Sequence, residues 1–183
     1  CKKVTNCMTT GITLTRNPLQ SLKVDAIGYG AKDTGEMGGA AAAAVLAAAG
    51  PEILEDLRSK LTNLPRRVGD VAVTPSFKFQ SGGVRWILHI ISIIKNTPQG
   101  AYCPEPERLR DGTLSALEKA FELGARSVAF SALATGEGRV EPRHSARYML
   151  DGVKAFRHSH KESNLAVIIS LPSFRDFEAF SSA

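Results

Sequence analysis

A chain of 183 residues, 43% hydrophobic and 22% charged, is long enough to bury a sizeable core but short for two full domains. Its formal charge of +5 favours an anionic partner, such as a phosphate-bearing ligand or a nucleic acid, although no Lys/Arg block with interleaved aromatic residues indicates a nucleic-acid surface. The longest apolar run, WILHIISII, is too short to cross a bilayer, so we expect no membrane association.

The first half of the chain predicts four strands and two helices. Alternating or continuous apolar runs indicate the strands, whereas alanine content and a proline at the first helical position indicate the helices. In chain order they are an edge strand at 11–16, a strand at 23–30, a helix at 38–49, a helix that begins at Pro51, a strand at 70–76 and a buried strand at 84–94.

The second half predicts three helices and two strands. Apolar residues at helical spacing indicate the longer helices, and glycine or proline stands at their ends. In chain order they are a helix at 106–123, a strand at 126–133, a helix that begins at Pro142, a strand at 164–171 and a short helix at 172–180.

Strands that alternate with helices are typical of an α/β domain with helices on both faces of a largely parallel sheet. We expect a single domain over residues 1–183, in which residues 1–10 have no assigned element. Ligands of such sheets bind at the carboxyl ends of the strands, close to helix N-termini. Two glycine-rich loops, 28–39 and 134–138, fall at these positions.

Both loops have the chemistry of a phosphate site. Glycines let the backbone approach a ligand, and the unpaired N–H groups of a helix N-terminus attract an anion. The turn MGGA at 37–40 leads into the alanine helix, and the loop ATGEG at 134–138 offers a hydroxyl and several amides. Two such sites on neighbouring strand ends would suit a diphosphate, although most glycine turns serve only to turn the chain.

The three cysteines indicate a cellular compartment and do not indicate a metal site. Cys1, Cys7 and Cys103 lack the spacing of zinc ligands, and a sparse, odd count is typical of a reducing, cytoplasmic environment. We therefore expect no metal and no cofactor.

Several motifs in order resemble the macrodomain family of ADP-ribose-binding modules, of the Appr-1-p processing type. VDAI followed by a glycine run, an alanine helix and AAAGPE can be laid without a gap on the family pattern VDAIVNAAN, GGGG, AAGP. GDVAVTPSF, RWILHIIS and ARSVAFSALATGEG resemble the next three family segments, and SFRDFEAF resembles its closing helix. The resemblance covers most of the chain after residue 11. It implies a three-layer α/β/α sandwich around a mixed, largely parallel sheet.

The resemblance also implies a set of ligand-binding residues. By position, Asp25 would accept a hydrogen bond from the adenine amino group, and the loops would hold the diphosphate and the distal ribose. Phe174 resembles a position after the last strand that often lies against adenine. The whole implied set is Asp25, Ala26, Ile27, Gly38, Gly39, Ala40, Ala134, Thr135, Gly136, Glu137, Gly138 and Phe174.

The match departs from the family where some relatives keep catalytic residues. Tyr29 and Lys32 stand in place of the two asparagines of NAAN, and Ala42 stands where some family hydrolases have an acidic residue. Lys32 and Asp33, together with Glu36, are the candidates to replace that machinery, because an amine is a nucleophile and a carboxylate is a base. The alternative is that these charges form a solvated loop tip.

Two functions of different classes follow from the resemblance. The first is a module, expected to be monomeric, that binds free or protein-linked ADP-ribose. The second is a hydrolase that removes ADP-ribose from protein or nucleic acid, or acts on ADP-ribose 1″-phosphate or O-acetyl-ADP-ribose. Binding of another nucleotide or of RNA is a third, weaker possibility that the net charge suggests.

Other reactive side chains have plainer interpretations. We expect His89, which lies within an apolar run, to be a core histidine with both ring nitrogens satisfied. Cys103 is interpreted as an unreactive thiol, and Arg108 and Arg110 as surface charges.

Overall fold

The computed structural model describes the backbone of residues 6–9 and 11–183, and the side chains of residues 11–80 and 82–183. The interpretation of the Cys1 and Cys7 thiols lies outside the described residues. Within this range, no helix is long and apolar enough to span a membrane.

Seven strands and five α-helices make up the fold. The strands are β1 (Asn6–Thr9), β2 (Ile12–Thr15), β3 (Ala26–Lys32), β4 (Val71–Pro75), β5 (Trp86–Ile93), β6 (Ser127–Ser131) and β7 (Ala166–Ser170). The helices are α1 (Ala40–Ala49), α2 (Glu52–Leu61), α3 (Leu109–Glu122), α4 (Pro142–Ser159) and α5 (Phe174–Ser181). Short 3-10 turns occupy Leu19–Ser21, Phe77–Gly82 and Pro106–Arg108.

The strands form one mixed sheet in the order β1-β2-β7-β6-β3-β5-β4. The five central strands, which are β2, β7, β6, β3 and β5, pair parallel with one another. The edge strands β1 and β4 pair antiparallel with β2 and β5. The expected mixed, largely parallel sheet is thus confirmed. The carboxyl ends of five strands consequently lie along one side of the molecule.

Two hydrophobic clusters cover the two faces of the sheet. One contains apolar residues of α1 and α2, and the other contains those of α3, α4 and α5. Strand residues alternate between the clusters: on β5, Ile87 and Ile91 belong to the first, and Leu88 and Ile90 to the second. The chain is therefore a three-layer α/β/α sandwich, as its motifs suggested.

On the face of the sheet that α1 and α2 cover, a buried chain of hydrogen bonds connects three strands. His89 of β5 is fully buried, and its Nδ1 lies 2.6 Å from the Tyr29 hydroxyl while its Nε2 lies 2.9 Å from the Thr74 hydroxyl. Burial lowers the pKa of His89 to about 3 and raises the pKa of Tyr29. The ring is therefore neutral and satisfied at both nitrogens, which confirms the interpretation of His89 as a core residue.

Candidate functional site

A cleft of about 690 Å³ opens at the carboxyl ends of the parallel strands. Its floor includes Gly30 of β3, Ile93 of β5, Ser131 of β6 and Ser170 of β7, all at or near the last position of their strands. The volume lies in the range of small-molecule sites. The position is the one expected for a ligand site in an open α/β sheet.

The N-terminus of α1 forms one wall of the cleft. Gly39 is the N-cap residue, with extended backbone angles (φ −72°, ψ 159°) and no side chain to cap the helix. The first helical residues, 40–42, therefore keep N–H groups without an intrahelical acceptor, and the helix dipole adds positive potential there. Gly38, Gly39 and the first turn of α1 line the cleft and can hold an anion.

The loop after β6 forms the opposite wall and is closed on itself. The Val140 N–H donates to the Ala134 carbonyl at 3.0 Å, and the Arg139 N–H donates to the Gly136 carbonyl at 3.0 Å. Gly138 has no room for a side chain, since a Cβ there would lie 2.6 Å from the Ala134 carbonyl oxygen. The tight backbone therefore excludes a side chain at Gly138.

The amides of this loop remain available to a ligand. Among the described residues, no protein group accepts a hydrogen bond from the N–H groups of residues 135–138. Residues 134–137 line the same cleft as the α1 N-terminus. The structure thus brings together two sets of free amide donors across one groove, which is an arrangement suited to two linked anionic groups.

An ion pair connects the two walls at the end of the cleft beside β3 and β5. The Lys32 ammonium lies 2.8 Å from the Glu137 carboxylate. Asp33, the other catalytic candidate, points elsewhere, because its carboxylate accepts a hydrogen bond from the Lys95 N–H at 3.0 Å. The structure therefore places Lys32 beside the cleft, paired with the lining residue Glu137 rather than with Asp33.

The other end of the cleft combines flat apolar surfaces with a carboxylate. Pro18, Leu19 and Pro172 line it beside Asp176. The Thr135 hydroxyl donates to the Asp176 carboxylate at 3.3 Å. Burial nonetheless raises the pKa of Asp176, and this effect outweighs the lowering by Thr135.

The structure corrects the expected position of Asp25. Asp25 precedes the first residue of β3, so it lies at the amino end of a seven-residue strand, roughly 20 Å from the cleft. There its carboxylate accepts hydrogen bonds from the Arg126 and Ser127 N–H groups, at 2.7 and 3.2 Å, and lies 3.7 Å from the Arg85 guanidinium. It connects strand starts and does not face the site.

Four further expected residues lie outside the cleft lining, and one of them, Gly138, lines a smaller hollow instead. Ala26 and Ile27 are fully buried near the amino end of β3, which follows from the same placement as that of Asp25. Phe174 is 64% exposed at the start of α5, where the Arg16 guanidinium lies 5.9 Å from its ring centre. Its neighbours Ser173 and Arg175 line the cleft, so Phe174 lies at the rim.

The remaining sequence candidates have structural roles. Cys103 is buried, its pKa is raised to about 11 chiefly by burial, and it lines a smaller hollow behind the second loop. Arg108 pairs with Glu105 and Arg110 with Asp111 on the surface. Among the described residues, no group of His, Cys, Asp and Glu is arranged to hold a metal ion.

Sequence reasoning missed several residues of the cleft. Ser131 and Ser170 are paired in register at the ends of β6 and β7, and Asp176 and Arg175 belong to the first turn of α5. The two serines could have been found from the sequence, because each lies near the carboxyl end of an expected strand. The contribution of α5 depends on its tilt over the sheet, which has no local sequence signal.

Comparison with known proteins gives a family and a fold. A family model described as Macro domain matches residues 30–149. An uncharacterised protein of Pyrococcus horikoshii is 29% identical over 162 residues, which cover 81% of each chain. A protein of Archaeoglobus fulgidus named ADP-ribose glycohydrolase is 32% identical over 92 residues, which cover 50% of this chain and 46% of that protein.

Two solved structures share the fold. The Oceanobacillus iheyensis macrodomain with ADP has a TM-score of 0.79 at 22% identity, and the match covers 97% of this chain and 92% of that one. The Trypanosoma brucei macrodomain in complex with ADP-ribose has a TM-score of 0.77 at 24% identity, with 94% of this chain and 68% of that one covered. At these identities the likeness concerns the fold alone.

Proposed function

The chain belongs to the macrodomain family, and on that premise we propose that its cleft binds ADP-ribose, free or linked to a protein. The observation that carries the proposal is the pair of unpartnered amide sets, at residues 40–42 and 135–137, that belong to two walls of the same cleft. A diphosphate accepts hydrogen bonds on both phosphoryl groups, so each set would hold one of them.

The two ends of the cleft suggest an orientation for the ligand. The apolar surfaces of Pro18, Leu19 and Pro172 suit the faces of a purine, and the Asp176 carboxylate would accept a hydrogen bond from the adenine amino group. The distal ribose and the phosphoryl group attached to it would then lie at the β3–β5 end, beside Gly38 and Glu137. In this proposal Asp176 takes the role that the sequence had suggested for Asp25.

Calorimetry with ADP-ribose tests the proposal. We expect saturable heat with the folded protein, and no heat at high micromolar ligand would contradict it. Gly136→Val should weaken binding strongly without unfolding the protein, because Gly136 lines the cleft and a Cβ there meets no protein atom within 4 Å. Gly82→Val, at an equally open glycine outside the cleft, is the control and should bind as the wild type does.

The proposal includes a setting for this activity. We propose a monomer that works in the cytoplasm, which the sparse cysteines support. Binding of RNA remains the third candidate, because the formal charge is +5. A steep fall of affinity with salt for RNA, together with weak binding of ADP-ribose, would favour RNA instead.

A hydrolase is the second candidate function. It is favoured by the relative named ADP-ribose glycohydrolase and by the Lys32–Glu137 pair at the proposed ribose end of the cleft. Turnover of an ADP-ribosylated protein by the wild type, Lys32→Ala and Glu137→Gln is the test. Asp33→Ala is the matched control, since that carboxylate points to Lys95. Background rates in all four proteins would end this candidate.

A further inference from the structure

Lys32 lies at the junction of the two phosphate-binding walls. Its ammonium is 2.8 Å from the Glu137 carboxylate of the second loop, and it would lie 3.6 Å from a Cβ placed on Gly38, ahead of α1. Gly38 and Glu137 both line the cleft. A positive charge is therefore held directly beside the groove in which a diphosphate would lie.

The two side chains of this ion pair differ in how freely they can move. The Lys32 side chain is only 12% exposed. Lys32 is the last residue of β3, where its backbone pairs with Ile93 of β5. The Glu137 side chain is 41% exposed and extends from a loop. Glu137 is thus the partner that can turn into solvent at little cost, whereas Lys32 stays in place.

A largely buried ammonium needs a counter-charge, because an uncompensated charge is costly in a low-dielectric site. Glu137 supplies this charge in the free protein. An entering diphosphate brings charge of the same sign as Glu137 and can compensate Lys32 in its place. The carboxylate and the ligand therefore compete for one ammonium.

We propose that Glu137 acts as a built-in competitor of the ligand, and that Lys32 exchanges Glu137 for a phosphate oxygen on binding. The inference rests on the proposed function, since it deepens the account of the same cleft. It assigns Lys32 as a ligand-binding residue and Glu137 as a residue that lowers affinity for anionic ligands. The alternative is a fixed connection in which Lys32 and Glu137 only hold the walls together.

Exchange and a fixed connection predict different changes in ligand affinity for variants of Lys32 and Glu137. Under exchange, Lys32→Met removes a charged hydrogen bond to the ligand and should weaken ADP-ribose binding by about tenfold or more. Glu137→Gln removes the competitor and should tighten binding by about threefold. Under a fixed connection both changes break the same bond, so both should weaken binding.

Two other ion pairs provide the matched controls. Lys95 pairs with Glu36 outside the cleft lining, and both side chains are more exposed than Lys32. Lys95→Met changes the net charge as Lys32→Met does, and Asp151→Asn, in the exposed Asp151–Lys154 pair of α4, changes it as Glu137→Gln does; neither Lys95 nor Asp151 lines the groove. We expect both to bind within about twofold of the wild type, because exposed charges are screened. Lys32→Arg should retain most of the affinity, since it keeps the charge.

Calorimetric titration of these variants with ADP-ribose and with ADP is the experiment, after thermal unfolding has shown that each variant is folded. Opposite effects of Lys32→Met and Glu137→Gln support the exchange. Equal effects, or weakening by both, overturn it. If ADP-ribose fails to bind while ADP shows opposite effects, the exchange stands and the proposed function fails. If the wild type binds neither ligand, both are overturned.

Discussion

At the scale of single residues, the uncapped start of α1 is where stability and binding compete. Gly39 has the backbone angles of an N-cap, offers no side-chain acceptor, and has open space where a Cβ would lie. An aspartate there would accept hydrogen bonds from the amides of Ala41 or Ala42 and would interact favourably with the helix dipole. The glycine leaves these donors to the ligand.

We expect Gly39→Asp to raise the free energy of unfolding by about 0.5 kcal/mol and to weaken ADP-ribose binding by about tenfold. Denaturant unfolding and calorimetry measure the two effects. Gly39→Asn is the control, because it caps the helix without adding a negative charge, and it should lose less affinity. A gain in stability without a loss of affinity would show that the ligand does not use these amides.

His89 gives a second prediction at this scale, concerning pH. Its pKa is about 3 in the folded protein and about 6.5 in an unfolded chain, so between these values the unfolded chain alone binds the proton. Stability from this residue is complete above about pH 6.5 and falls as pH drops, by about 1.4 kcal/mol per pH unit in the middle of the window.

The measurement is the free energy of unfolding of the wild type and of His89→Gln between pH 4 and pH 7. Other groups titrate in both proteins, so the difference between the two isolates His89. The wild type should lose stability faster than the variant as pH falls. Parallel pH profiles would show that His89 binds its proton over the same pH range in the folded and the unfolded protein.

The residue scale also shows where sequence reasoning is sound and where it fails. The polar run around Lys32 predicts charge near the cleft, but its pairing with Glu137, 105 positions away, depends on the sheet order. Asp25 was misplaced because its role came from the resemblance alone. It lies near the amino end of the strand expected at 23–30 and precedes β3 in the structure, whereas the cleft lies at the carboxyl ends.

At the scale of elements, α3 and α4 pack unusually closely at a glycine. A Cβ on Gly152 of α4 would lie 2.6 Å from the Arg110 carbonyl oxygen and 2.8 Å from the Thr113 Cβ, both in α3. In an ordinary helix Gly→Ala stabilises by about 1 kcal/mol. Here the added methyl group would push the two helices apart.

Gly152→Ala should therefore lower the free energy of unfolding by about 1–3 kcal/mol, as overpacking does. Gly82→Ala is the control at an open position and should change stability by less than about 0.5 kcal/mol. Chemical denaturation of both variants measures the effect. A stabilised Gly152→Ala protein would mean that the helices separate at little cost.

Elements with strong local signals were predicted well. Proline fixes the start of α4 at Pro142, as expected, and the apolar run yields β5 at Trp86–Ile93, within the expected 84–94. Weak signals failed: β1 lies in the segment that had no assigned element, and the expected helix at 106–123 begins as a 3-10 turn. A short edge strand forms because it pairs with the rest of the sheet, and local sequence propensity gives no sign of that pairing.

At the scale of the whole molecule, topology turns separate sequence signals into one site. The order β2-β7-β6-β3-β5 aligns five carboxyl strand ends, so loops distant in sequence share one groove. The alternation of strands and helices predicts such an edge, but it leaves the strand order open. The resemblance to macrodomains implied a mixed, largely parallel sheet, and the strand order itself comes from the structure.

The central claim is that one groove holds a diphosphate between two sets of amides, and a crystal structure with ADP-ribose tests it most directly. We predict phosphoryl oxygens within hydrogen-bonding distance of the N–H groups of residues 40–42 and 135–137, with Glu137 turned away from Lys32 and a phosphoryl oxygen in its place. Phosphates bound away from both amide sets, or a ligand outside this cleft, would contradict the account.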